Sequence, residues 1–261
     1  MSEEIVIHDG NAPKHLAPPS GFKTGLVERN FATHPVGYNA KPFDLPLIPE
    51  SQWQARLDAM IVAKAQLSDI RNQGMNGQPI PSRDQNGKGY CWAHSSTSAA
   101  LIVRALNNQP YADLSAYAVA CLIKDYRDEG GWGAESLEWI AKNGIPTSTT
   151  WPQQSMSRSN DNLAMRADAA NHKFTEWMDL DPEDMQRQLV TCLLNSIPVV
   201  SDFNWWAHSV CTLDLVSINP FRTRIWNSWG DSWSKNGTGI LEGSRAIPDG
   251  AIAPRVTMGS N

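Results

Sequence analysis

The sequence predicts an α+β fold in which a helical first half is followed by a β-rich second half. Three observations carry this. Helical apolar periodicity runs from Cys91 through Trp92, Ala99, Leu101, Ile102, Ala105 and Leu106 to about Asn107. β-like runs with turn signals between them fill the stretch after Ile197. The residues that carry chemistry are divided between the two halves.

Residues 1–45 are polar and rich in Pro and Gly, without a periodic apolar pattern, and read as an extended arm. Trp53, Leu57, Ile61 and Val62 mark a short helix over 51–66. After the long helix that begins at Cys91, residues 114–126 and 133–142 read as two more. The second of these stops at Asn143-Gly144. Residues 153–172 are polar and read as a surface connection with some helix. Asp181-Pro182-Glu183-Asp184 then opens a helix to about Asn195, with the proline placed where its missing N–H costs little. Strand-like runs follow at 197–203, 209–218, 222–228 and 238–242, with turns at Asn219-Pro220 and Asn236-Gly237. The expected division is an arm over 1–45, a helical lobe over 46–152 and a β-rich lobe over 153–261.

The formal net charge of -5 gives no electrostatic reason to expect nucleic acid or an anionic membrane as partner. The start Met1-Ser2-Glu3-Glu4 has no apolar h-region, and no apolar run approaches the roughly 20 residues of a membrane span. A soluble protein without a cleaved signal, cytoplasmic or virus-associated, is expected. The four cysteines form no CxxC pair and no metal-ligand spacing. Cys121, Cys192 and Cys211 sit in apolar patterns and read as core thiols.

Cys91 differs from them. It stands where the turn Asn86-Gly87-Lys88-Gly89-Tyr90 runs into a helix, and the first-turn N–H groups and the helix dipole favour a thiolate there. Gln85, ahead of that turn, offers an amide N–H to an oxyanion forming beside the sulfur. A base and a group to orient it are available in His208 and Asn227. Taken singly, each has an ordinary reading: a core thiol, a loop glutamine, a histidine beside a strand, a turn asparagine. The set of four is what makes the chemical reading the stronger one.

Three separated blocks carry a resemblance: residues 84–95 around Gln85 and Cys91, the short His208-Ser209-Val210, and residues 225–233 around Asn227 and Trp229 with Asn236-Gly237 after them. A weaker block joins Gly130-Gly131-Trp132, Gly144-Ile145-Pro146 and Trp151-Pro152. In this order the chain resembles the papain-like cysteine peptidases. The resemblance implies a papain-like two-lobe fold with the active-site cleft between the lobes, a polypeptide substrate and no cofactor or metal. It implies Cys91 as nucleophile, His208 as proton shuttle, Asn227 as its orienter and Gln85 in the oxyanion hole. Trp229 would shield the histidine–asparagine hydrogen bond and border the substrate. Gly130 and Gly131 resemble glycines along which a substrate backbone pairs as an extended strand. Asn227 falls inside the roughly 130–150 residues expected after such a nucleophile, whereas His208 falls short of it. The short connection between Pro198-Val199-Val200-Ser201 and His208 accounts for the difference.

Lys88 stands where the family usually has a cysteine, and Asp128 is near that cysteine's usual disulfide partner, so an ion pair is expected in place of the bridge. His94, one turn into the helix below the nucleophile, reads as structural. The arm has no equivalent of the family's long helical pro-segment, so self-inhibition by a cleavable pro-region is not expected; the arm is expected to pack on its own body or on a neighbouring subunit, and the sequence leaves open whether it blocks the cleft. Two other readings stand beside the peptidase. One is a papain-fold structural protein, for example a virus-particle component, with the site retained but idle. The other keeps the chemistry with a different acceptor.

Overall fold

Neighbouring residues Val199 and Val200 lie in different apolar clusters, one on each face of a sheet, which is the period-two signature of a strand buried on both sides. This computed structural model describes residues 3–38, 40–74 and 77–257. The helices are α1 (Glu50–Ala63), α2 (Leu67–Gln73), α3 (Cys91–Leu106), α4 (Ala116–Ile123), α5 (Gly133–Asn143), α6 (Leu163–Ala169) and α7 (Met185–Leu194). The strands are β1 (Val6–Ile7), β2 (Lys41–Pro42), β3 (Phe174–Asp179), β4 (Val199–Phe203), β5 (His208–Ser217), β6 (Arg222–Trp226), β7 (Thr238–Glu242) and β8 (Gly250–Thr257).

The strands form one sheet in the order β1-β7-β6-β5-β4-β8-β3-β2. The six inner strands pair antiparallel, and the two edge strands, both from the arm, pair parallel. Arm and body are thus one sheet. Further ties run along the arm: Glu4 to Arg224, Asp9 to Arg245, and the Trp206 indole N–H to the His15 carbonyl. The Arg29 guanidinium forks onto the buried Asp179 carboxylate.

Trp92, Leu101, Tyr117, Leu137 and Ile140 of α3–α5 pack with Val200, Leu213, Trp226 and Ile252 of the sheet. Trp53 and Leu57 of α1 and Leu189, Val190 and Leu193 of α7 pack with Val199, Val210, Ile225 and Leu241. Although α1 precedes the nucleophile helix in sequence, it belongs with the β-rich half. β3 and β8, absent from the sequence expectation, extend the sheet beyond β4. Among the described residues no helix is long and apolar enough to cross a membrane.

Leu213 lies at the centre of this packing, fully buried in β5. Leu213→Ala is expected to lower unfolding free energy by about 2–5 kcal/mol, read from urea denaturation. A loss below about 1 kcal/mol would mean that this strand is not the core element described.

Candidate active site

The loop before α3 delivers Cys91 as the first residue of that helix, with the sulfur between the two halves of the molecule. The Trp92 indole N–H donates to the Gly89 carbonyl (3.0 Å), fixing the turn, and Ser95 and Ser96 hydroxyls donate to the Trp92 carbonyl. Cys91 has no exposed surface. Burial pushes its thiol up to about 12, against the pull of the backbone N–H groups of Ser209, Gly25 and Trp92.

His208 opens β5, next to the Ser209 N–H that meets the thiol. Its Nε2 lies 2.7 Å from Asn227 Oδ1, which also accepts the Ser228 N–H at 2.8 Å. An amide oxygen that already accepts one backbone N–H cannot donate to the ring, so His208 carries its proton on Nε2. Nδ1 is then a bare acceptor, and among the described residues it has no hydrogen-bond partner, the thiol included. Trp206 meets the imidazole edge-on at 4.9 Å and Trp229 lies tilted over it at 4.8 Å. Burial lowers the imidazole to about 4, against the Asn227 hydrogen bond that raises it. The couple therefore stands as neutral thiol and neutral imidazole.

Gln85 is buried with its amide oriented from both ends. Its Oε1 accepts the Ser228 hydroxyl (2.6 Å), and its Nε2 donates to the Lys23 carbonyl at 2.9 Å and to the Lys88 carbonyl. Ser228 was not singled out in the sequence; its place directly after Asn227 was the available signal.

The groove between the halves is filled by the arm. The Lys23 carbonyl takes N–H groups from Gln85 and from Trp229 (3.2 Å). Gly25 and Leu26 N–H groups donate to the Ala207 carbonyl at 3.2 and 3.0 Å. Gly131 N–H donates to the Gly25 carbonyl at 3.0 Å, and Val27 N–H to the Gly131 carbonyl at 2.9 Å, so Leu26 and Gly131 form a parallel bridge. Phe22 stacks on Trp229 at 5.3 Å. The approach is close enough to require glycine: a Cβ on Gly25 would lie 2.2 Å from the Gly89 carbonyl oxygen, and one on Gly130 would lie 2.5 Å from that of Gly25. Backbone bonding dominates here, because each such bond is worth about 0.5–1.5 kcal/mol and the exposed Lys23–Asp128 pair about 0–1.

This path answers what the sequence left open, because the arm enters the cleft. It packs on its own body and covers the thiol. An extended segment that pairs by backbone alone leaves no periodic trace in the sequence.

Cys91, His208, Asn227, Gln85, Trp229, Gly130 and Gly131 thus converge on one stretch of arm. Lys88 and Asp128 stand 3.9 Å apart, as expected, but Lys23 of the arm is the nearer partner at 2.9 Å. His94 is buried edge-on to Tyr117, with both ring nitrogens unpartnered and burial lowering it to about 3.

The family model described as papain family cysteine protease matches residues 65–219. The chain belongs to the papain family of cysteine proteases. It is a thiol hydrolase acting on polypeptides. The match takes in Cys91 and His208 and ends before Asn227. Among curated relatives, zingipain-2 of Zingiber officinale is 23% identical over 67% of this chain and 87% of its own length. Mexicain of Jacaratia mexicana is 22% identical over 62% and 82%. Among solved structures, xylellain of Xylella fastidiosa superposes with a TM-score of 0.63 at 17% identity over 91% of this chain and 97% of its own. Digestive procathepsin L2 of Tenebrio molitor gives 0.66 at 18% over 98% and 85%. These likenesses establish the fold.

Gly25→Val cannot keep the arm seated. Iodoacetamide labelling of Cys91 in the intact chain is expected to stay slow below about pH 9, because the covered thiol stays protonated up to about 12. In Gly25→Val, labelling at pH 7 should rise at least about tenfold. Equal rates in the two proteins would contradict the covering described.

Proposed function

We propose that this protease hydrolyses peptide bonds through a thioester acyl-enzyme on Cys91, once the arm has left the cleft. The reading is carried by one observation: a peptide carbonyl, that of Lys23, already rests on the Gln85 amide N–H, two residues before the Gly25 N–H that meets the Cys91 thiol. A substrate carbonyl in that place would have the same donor when its oxygen becomes an anion.

Each of these groups takes one part in the proposed steps. The Cys91 thiol gives its proton to His208 Nδ1, and the sulfur attacks the carbonyl carbon. The tetrahedral oxyanion is held by Gln85 Nε2. His208 returns the proton to the leaving amine as the C–N bond breaks, which leaves the thioester. Water then gives a proton to His208 and attacks the thioester. The acid leaves, and the sulfur regains its proton. Asn227 Oδ1 keeps the Nε2 proton in place throughout, and being uncharged it leaves the Nδ1 proton free to return. The Trp206 and Trp229 rings limit water around that hydrogen bond.

The arm suppresses this cycle in two ways. It occupies the backbone-pairing edge at Gly131, and its cover removes the solvent that would sustain a thiolate–imidazolium pair. The Tenebrio neighbour is described as a procathepsin, a proenzyme. No observation favours an idle structural role.

Cys91→Ala is expected to abolish peptide hydrolysis measured in the Gly25→Val background, and turnover retained by the alanine protein would refute the assignment. Ser228→Ala frees the Gln85 amide to rotate without touching substrate. It should lower kcat about tenfold while KM changes less than about twofold, measured against a fluorogenic peptide. A fall confined to KM would mean that Gln85 serves ground-state binding instead.

A further inference from the structure

Asp202 lies on β4 in register with Ser209, so it flanks the nucleophile from the β side, and its charge acts on the Cys91 thiol. The residue is 6% exposed. Its Oδ2 accepts the Gly133 N–H at the start of α5 (3.0 Å), while Oδ1 has no hydrogen-bond partner among the described residues. Tying α5 to β4 needs one carboxylate oxygen. A second, buried and unbonded, is costly to keep and has no structural use. Burial pushes this acid up to about 6, against the Ser209 hydroxyl, the Gly133 amide and the charge of Arg29.

The arm covers this acid without satisfying it. Phe31 of the arm closes on the same spot: its Cζ and Asp202 Oδ2 lie 3.9 and 4.0 Å from where a Cβ on Gly250 would stand. Arg29 acts on it only at a distance, because its guanidinium is committed to Asp179 and to the His34 and Pro35 carbonyls. Opposite Gly131 the arm presents Leu26, which has no side-chain donor. The arm is therefore a tenant that matches the backbone edge and leaves the acid unanswered.

We infer that Asp202 determines substrate specificity, selecting peptides with arginine or lysine at the residue that replaces Leu26 opposite Gly131. The inference rests on the peptidase reading above. Gly131 stands two residues before Gly133, whose N–H holds the carboxylate, so a long basic side chain entering beside Gly131 runs toward Oδ1. An arginine fork supplies the missing donor and pairs the charge in a dry site. Arg29 keeps its fork on Asp179, so among the described residues Asp202 is the acid on this face without a charge partner of its own. Val200, Ile252 and Asp179 are directly opposed across β4, β8 and β3, and Asp202 lies two residues from Val200, so both acids face the same side of the sheet.

The test measures binding apart from turnover. Three fluorescent peptides, identical except for arginine, citrulline or leucine at that residue, are titrated into full-length Gly25→Val/Cys91→Ala protein and followed by anisotropy. The arginine peptide is expected to bind at least about tenfold more tightly than either neutral one. Adding Asp202→Asn should bring all three within about threefold while leucine-peptide affinity is kept, which reports an intact cleft. Equal affinities for arginine and citrulline peptides would overturn the inference, and that comparison needs no change at the acid. A preference that survives Asp202→Asn would overturn it as well. Hydrolysis is read separately with Cys91 present: arginine-selective binding without cleavage supports the selectivity and contradicts the peptidase reading alone.

Discussion

Four backbone hydrogen bonds, from Gly25, Leu26, Val27 and Gly131, hold an extended segment across the groove between the helical and β-rich halves. The state of the site depends on them. While they persist, Cys91 and His208 are without solvent, and each is held in its neutral form. Desolvation penalises both members of a thiolate–imidazolium pair, so in the proposed mechanism one cover holds back both partners together. No steric plug of the sulfur is needed beyond that.

The cover is built to be specific in place and modest in strength. Its side chains supply a stacked Phe22 and an exposed lysine pair, whereas its backbone takes the amide donors and acceptors that a substrate strand would use. Its ends are fastened elsewhere. Glu4 and β1 anchor it at one edge of the sheet, and Arg29 and β2 at the other. The segment over the thiol can therefore leave the groove while the sheet remains whole. The buried Arg29–Asp179 fork is the costly contact to break, since removing one partner of such a pair leaves an unpaired charge inside.

The fold was legible where local pattern and tertiary role agree. The nucleophile helix, the α4 and α5 helices and the strands β4 to β7 follow from periodicity and turn residues. β3 and β8 were hidden for a physical reason: β3 pairs through register shifts, and the β8 segment Ala251-Ile252-Ala253-Pro254 is weak in strand propensity and is held by its neighbours on both sides. Cys91, His208, Asn227 and Gln85 could be proposed as a set because residue type and local context single them out, and the fold brings them to one stretch of arm. Ser228, Trp206 and Asp202 act only through what they touch across the fold. The arm's path was the least readable of all, because an extended backbone that pairs through amides leaves no constraint on residue type except glycine.

The account is tested most directly by the protonation of the His208 ring, followed by NMR pH titration in the intact chain and in Gly25→Val. Burial under the arm predicts a ring that stays neutral down to about 4 in the intact chain and titrates at a higher pH, toward the ordinary 6.5, once the segment is dislodged. The same midpoint in both proteins would contradict it.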